Sequence, residues 1–269
     1  MVLKMILLVR SKNGKIRKTL YHLFIIFFSF FHCSFAKSND TYKQIPILCY
    51  HRFASQINDE MTIKTTDFSK QIAWLKENGY TVISLDDAVR YLKGYKEQIP
   101  DKPVVITVDD GHKSVYFEML PLVKHYKIPV TLFIYPSVIS NTRYAMTWKQ
   151  LHELEETDLF RVESHTYWHP NFIKEKKKLS DAEYYKFVMM QLGESKHILE
   201  EKMGHEVKYL AWAFGIYDGE LQRMAKEVGY EAAFTIERKH ANKYQPIMTL
   251  PRYMIVYSIT FDAFKRILK

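Results

Sequence analysis

Apolar residues fall along this chain in short unbroken runs, and segments of helical spacing separate them. Eight runs read as strands, at 45–50, 81–85, 103–109, 129–135, 160–164, 209–214, 231–236 and 249–255. They are rich in Val, Ile, Leu, Phe and Tyr and mostly lack polar alternation, the mark of strands buried on both faces in a parallel sheet or barrel. Between them, Phe68, Ile72 and Leu75 recur at helical spacing within 67–78, with Thr66 as the expected cap and Gly79 as the stop. Further helices are predicted over 86–95, 115–126 with Pro121 bending it, 147–155 and 221–228 closed by Gly229, and from Thr260 onward. The capping box Ser180-Asp181-Ala182-Glu183 opens a long helix that ends near Gly204. The basic run 174–178 reads as a solvated loop. Strand and helix alternate without a compositional break or repeat, which predicts an α/β fold. A single distorted (β/α) barrel of seven to eight strands fits, with its site at the C-terminal ends of the strands.

The run 103–109 ends in Asp109, Asp110 and Gly111. Two adjacent carboxylates at the end of a buried strand require a positive partner. Asp-Gly is also a turn signal, but the helical pattern that follows favours a βα loop. Asp86 and Asp87 sit instead at a predicted helix N-terminus, where the dipole accounts for them. His51, Asp109, Asp110, His165, His169 and Phe214 all fall at predicted strand ends. His165, His169 and one aspartate would supply three ligands and leave a fourth position open, as at catalytic rather than structural metal sites. Imidazole and carboxylate suit one divalent ion, zinc first, with cobalt, nickel or iron also compatible. Spacing alone leaves open which carboxylate ligates. The chain has no Gly-x-Ser-x-Gly elbow and no phosphate-binding glycine loop, and His152-Glu153 meets Glu156 where a zinc-protease helix needs histidine.

Hydrophobic residues make up 47% of the 269 and aromatic ones 15%, ample for a packed core. The net charge of +9 is unevenly placed. Six of the 39 basic residues precede position 37, where there is no acid, so the other 33 against 30 acids leave about +3. That removes the electrostatic argument for a nucleic-acid partner. The basic start, the apolar run 20–31 and Ser34-Phe35-Ala36 predict a signal peptide over 1–36, or an uncleaved anchor as the only membrane contact. A short leader, 37–44, would precede one domain at 45–269. Cleavage after Ala36 would leave Cys49 as the single thiol, so the exported protein, periplasmic, secreted or on the cell surface, would be held by its core and not by disulfides.

Thr107-Val108-Asp109-Asp110-Gly111, His165-Thr166-Tyr167-Trp168-His169 and Ala211-Trp212-Ala213-Phe214-Gly215 together resemble the polysaccharide deacetylases of carbohydrate esterase family four. The early Leu48-Cys49-Tyr50-His51 and the late 250–255 stretch are most similar to the subgroup acting on poly-β-1,6-N-acetylglucosamine. The resemblance covers roughly 45–255. It implies metal-dependent hydrolysis of N-acetyl groups, a carbon–nitrogen bond in a linear amide, on an N-acetylglucosamine polymer. It further implies Asp110, His165 and His169 as metal ligands, Asp109 as the general base for the attacking water, His51 as general acid, and the Phe214 N–H at the oxyanion. Three departures stand out: Val108 replaces a usual Phe, Ala213 and Phe214 replace a usual Pro and Tyr, and no arginine lies in 209–215 to orient the base. Arg252 is expected to take that last role. Trp212 and Tyr167, with Trp148 and Trp168, are candidates for sugar contact. Peptidoglycan or chitin oligomers remain alternative substrates, and the altered third motif leaves a catalytically silent glycan-binding module as the non-enzymatic alternative.

Overall fold

The computed structural model describes residues 6–10, 16–20, 43–57 and 59–269. β1 (Ile6–Arg10) and β2 (Ile16–Leu20) pair antiparallel within a first unit, Met1–Thr41. The apolar run beyond Leu20, Cys33, the expected cleavage point after Ala36 and leader positions 37–42 lie outside the described residues. Among those described, no helix is long and apolar enough to cross a membrane.

The second unit, Tyr42–Lys269, carries the alternation. It begins with β3 (Ile47–Tyr50), β4 (Arg52–Ala54), β5 (Thr62–Lys64), α1 (Thr65–Glu77), β6 (Thr81–Val82) and α2 (Leu85–Leu92). Then come β7 (Pro103–Asp109), a π-helical turn at Val115–Met119, α3 (Leu120–Tyr126), β8 (Val130–Ile134), α4 (Trp148–Glu155) and β9 (Phe160–Ser164). The chain continues through α5 (Phe172–Lys176), α6 (Asp181–Met203), β10 (Tyr209–Ala211) and α7 (Gly219–Val228). It finishes with β11 (Ala232–Phe234), β12 (Tyr253–Met254) and α8 (Phe261–Ile267).

The main sheet is parallel, ordered β11-β10-β9-β8-β7-β3-β12, with β6 pairing with the start of β7. One segment joins its two edges. Leu250 bridges Phe234 of β11, and four residues later Met254 pairs with Cys49 of β3. The sheet is therefore curled into a distorted barrel, and every residue of β3, β7 and β8 is buried. Outward-facing Leu48, Ile106, Val108, Leu132, Val162 and Leu210 form the larger core with the helices. Inward-facing Ile47, Val105, Phe133, Ala211 and Phe234 form a second cluster inside the curl, joined by Leu85, Ala88, Val89 and Leu92 of α2. Period-two side-chain alternation thus separates two cores that the unbroken apolar runs do not distinguish.

Local chemistry explains most element ends. Both the Ser180–Glu183 and the Thr147–Gln150 capping boxes form, and Gly204 ends α6 in the left-handed conformation. Four expectations need correction, and one is the strand expected at 249–255, which is only Tyr253–Met254 with a 3-10 turn ending at Thr249. α1 begins at Thr65 with no side-chain cap, so Thr66 lies inside it. The strand expected at 81–85 is only Thr81–Val82, because the Ser84 hydroxyl accepts the Asp87 N–H and starts α2. The basic stretch from Lys174 belongs largely to α5, whose cap is the Asn171 side chain accepting from Lys174 N–H. β4 and β5, a short parallel pair after His51, had no counterpart in the sequence reading.

Candidate active site

The C-terminal ends of β3, β7 and β9 converge, and β8 ties two of them together. Asp110 N–H donates to Phe133 O at 3.1 Å, and His165 N–H donates to Ile134 O at 2.8 Å. Consecutive carbonyls of one strand thereby hold the first residues beyond its two neighbours. Asp110 has φ +76°, a left-handed conformation that Asp tolerates better than most residues. That twist lets adjacent carboxylates serve one cleft. Gly111 follows at φ +78°, and a Cβ there would lie 3.0 Å from Ile139 Cδ1. Thr166, His169 and Phe214 also have positive φ, so backbone strain concentrates around this cleft.

The turn from His165 to His169 is closed by Thr166, whose hydroxyl accepts the His169 N–H at 3.1 Å. This explains a Thr between two histidines four residues apart: it folds the second ring back over the first, with centroids 4.5 Å apart. His165 Nδ1 hydrogen-bonds Ala211 O at 2.8 Å, which directs Nε2 into the cleft. That Nε2 lies 3.7 Å from both Asp110 Oδ1 and Asp109 Oδ2. One ligand atom from each of Asp110, His165 and His169 lies within 4.8 Å of the others. Such lone pairs converging without a hydrogen bond between them are the arrangement a divalent cation fills. Burial, then the neighbouring His165, lowers His169 to about 4, so its ring is a neutral donor at neutral pH.

Asp109 lies beside this group, 2% exposed. Arg252 grips it with two bonds of 2.7 Å, Nη1 to Oδ1 and Nη2 to Oδ2. The guanidinium is itself wholly buried, fixed by Nε to Thr235 O at 3.1 Å and by Nη1 to Thr107 Oγ1 at 3.1 Å. Burial alone would raise the Asp109 pKa. Arg252, followed by His165, outweighs it and holds the carboxyl well below the usual carboxylate range. His51, 8% exposed, lies at the end of β3 with Nδ1 buried and unpaired among the described residues. Burial lowers its pKa, against the pull of Asp109 and Asp110.

The structure thus brings together His51, Asp109, Asp110, His165, His169 and Arg252. Phe214 is 55% exposed and covers His169, with ring centroids 4.3 Å apart. Tyr167 is half-buried on the His165–His169 turn. Trp212 requires correction: it is fully buried, and its indole N–H donates to Met248 O at 2.9 Å. It is a core residue and cannot touch a sugar. Three contacts escaped the sequence reading. Thr107 binds Arg252, Cys49 Sγ approaches Asp109 Oδ2 at 3.3 Å, and Tyr135 stands 5.6 Å from His169 between ring centroids. The period of two would have placed Thr107 on the face of Asp109. The Cys49 contact depends on the pairing of β3 with β7, which no local pattern shows.

The sequence profile described as "Polysaccharide deacetylase" matches residues 96–233, just over half of the chain. The poly-beta-1,6-N-acetyl-D-glucosamine N-deacetylase of Staphylococcus epidermidis is 26% identical over 213 residues, covering 77% of this chain and 71% of that protein. Among solved structures, the Streptococcus pyogenes deacetylase PplD in complex with acetate superposes with a TM-score of 0.75 at 21% identity, covering 85% of this chain and all of that one. The structure of IcaB from Ammonifex degensii gives 0.71 at 24% identity, covering 84% and 95%. At these identities the two structures establish the fold. His51 and Arg252 lie outside the matched 96–233 stretch.

Proposed function

This chain belongs to the polysaccharide deacetylase family, and we propose that it hydrolyses the N-acetyl groups of poly-β-1,6-N-acetylglucosamine outside the cytoplasm. The observation that carries this reading is the buried, bidentate Arg252–Asp109 pair set against the Asp110–His165–His169 group. One carboxylate is kept ionised while its neighbour and two imidazoles offer a cation three donors.

Asp110, His165 and His169 hold one divalent metal, zinc by ligand type with cobalt, nickel or iron also compatible. When bound, such an ion supplies Lewis acidity toward a carbonyl and brings the pKa of a water toward neutrality. Asp109 takes a proton from the water whose oxygen attacks the acetamide carbonyl. Arg252, which reaches no substrate atom in this scheme, positions that base and keeps it charged. The Phe214 N–H donates to the developing oxyanion. His51 then gives a proton to the nitrogen as the C–N bond breaks, leaving acetate and a free amine on the sugar. A positioned base and a positioned acid each contribute on the order of 10²–10⁴ in rate. Phe214 and Tyr167 border the cleft as candidate sugar contacts.

The staphylococcal relative supports the β-1,6 linkage. Residues 1–36 serve as the export signal or anchor and 37–44 as a leader, with the catalytic domain at 45–269. The deciding measurement is amine release from matched β-1,6 and β-1,4 N-acetylglucosamine oligomers, with and without chelator. Faster release from the β-1,6 series, abolished by chelation, is expected. Preference for β-1,4 oligomers would refute the substrate assignment, and no release from either would refute the enzymatic one.

A further inference from the structure

We propose that Cys49, His51 and Asp109 form a second, inhibitory cation site for a thiophilic divalent ion, next to the Asp110–His165–His169 group. One ligand atom from each of these three residues lies within 4.8 Å of the others. Cys49 lies within β3 and His51 is the first residue beyond it, two positions on. Cys49 pairs with Thr107 in the β3–β7 register, which sets its sulfur toward Asp109, two residues further along β7. The Cys49 S–H donates to Asp109 Oδ2 at 3.3 Å, and a bound ion would take the place of that proton between the same two atoms. With ordinary bonds of about 2.3 Å to sulfur and 2.0 Å to oxygen, an ion bridging that distance would subtend an angle of about 100°, close to tetrahedral.

A second observation is independent of the thiol. His51 is more than nine-tenths buried, and its Nδ1 has no hydrogen-bond partner among the described residues. A buried imidazole nitrogen without a partner is uncommon and points to a missing ligand. The donor set also differs in kind from its neighbour. Cys, His and Asp offer sulfur, nitrogen and oxygen, whereas Asp110, His165 and His169 offer only nitrogen and oxygen, so soft ions distinguish the two sites. Binding replaces the thiol proton: Cys49 S–H loses H⁺ to solvent as the metal–sulfur bond forms, with no change of oxidation state. Arg252, 2.7 Å from Asp109 Oδ2, opposes the added charge. The site therefore fills after the Asp110–His165–His169 group and needs excess ion. An occupied site would engage Asp109 and His51, the base and acid assigned above. The inhibitory consequence rests on that functional reading; the binding site does not.

The test uses the full chain in a Cys33→Ser background, so that Cys49 is the single thiol. Metal-free protein is titrated with Co²⁺, and bound ion is counted by equilibrium dialysis while thiolate-to-cobalt charge-transfer absorption is recorded. The expected result is two equivalents, with the charge-transfer band growing in only with the second. Cys49→Ser should bind one equivalent without the band, and Asp110→Asn should keep the band while binding one. Cys49→Ala serves where the serine variant melts early, since retention of one equivalent reports an intact fold. Binding of a single equivalent by the unsubstituted site, or a band that survives Cys49→Ser, would overturn the site. Amide hydrolysis should fall more than tenfold between one and two equivalents. The same ratio should stay near one in Cys49→Ser, whatever its absolute rate. Hydrolysis unaffected by the second equivalent would overturn the inhibitory role. A charge-transfer band in a protein that hydrolyses nothing would leave the site standing and count against the deacetylase reading instead.

Discussion

Asp109 and Glu163 are both 2% exposed, both face the inside of the barrel, and both pair in register with Phe133, one from β7 and one from β9. Their ionisation is opposite. Arg252 lies over the Phe133 ring at 5.1 Å and closes on Asp109, holding it far below the usual carboxylate range. Glu163 has no ion pair among the described residues. It accepts the N–H groups of Lys208 and Tyr209 at 2.8 and 2.7 Å, and burial still pushes it up to about 8. Two backbone amides give less than one desolvated guanidinium in a bidentate fork. Burial therefore does not decide whether an acid in this barrel is a base. The position of a single arginine does.

Removing the charged carboxylate should have the largest effect. Asp109→Asn is expected to lower deacetylation on the order of 10²–10⁴, the usual worth of a general base. It also leaves Arg252 buried without its counter-charge, which costs about 3–5 kcal/mol and is read as a lower denaturant midpoint. Arg252→Met should destabilise by a similar amount and also move the acid limb of the rate–pH profile to higher pH, because an unpaired, buried Asp109 protonates more readily. A merely structural arginine would lower stability and leave that limb in place. If Arg252→Ala kept full activity, its role as positioning residue would be refuted.

Glu163→Gln should leave kcat unchanged and alter only how stability depends on pH. Because burial raises the folded pKa of Glu163 to about 8, its contribution is fully present below the unfolded value and is lost as pH rises through about 8. The native protein should thus lose up to about 1.4 kcal/mol of stability per pH unit across that window relative to Glu163→Gln. Parallel melting curves at pH 5 and pH 9 would show that Glu163 is ionised throughout. Trp212→Phe should likewise leave catalysis unchanged. It strands the Met248 carbonyl and destabilises by about 1–3 kcal/mol, with kcat per folded molecule preserved. A fall in kcat per folded molecule would instead show that Trp212 supports the turn that carries Phe214.

The local elements were legible because local rules set them. The Ser180–Glu183 capping box, Gly204 beyond α6 and the unbroken 103–109 run all behave as their residue types require. The His165–His169 spacing was likewise readable, since Thr166 closes that turn by itself. The place of Trp212 is not legible, because an aromatic between Ala211 and Ala213 reads the same whether it faces the cleft or the helices. Only the parity of β10 within the curl decides that.

Residue order was enough for the alternation of strands and helices, the strand ends that carry Asp109, Asp110 and the two histidines, and the family. Each depends on residues close together in the chain. Folding had to show that Arg252, 143 positions from Asp109, closes on it, that Cys49 faces the same carboxylate, and that Glu163 at equal depth has no ion pair among the described residues. Register accounts for the difference. Parallel strands bring distant residues level by pairings that no local pattern encodes, and in a buried site the charge that arrives by such pairing sets the protonation of the acids already there.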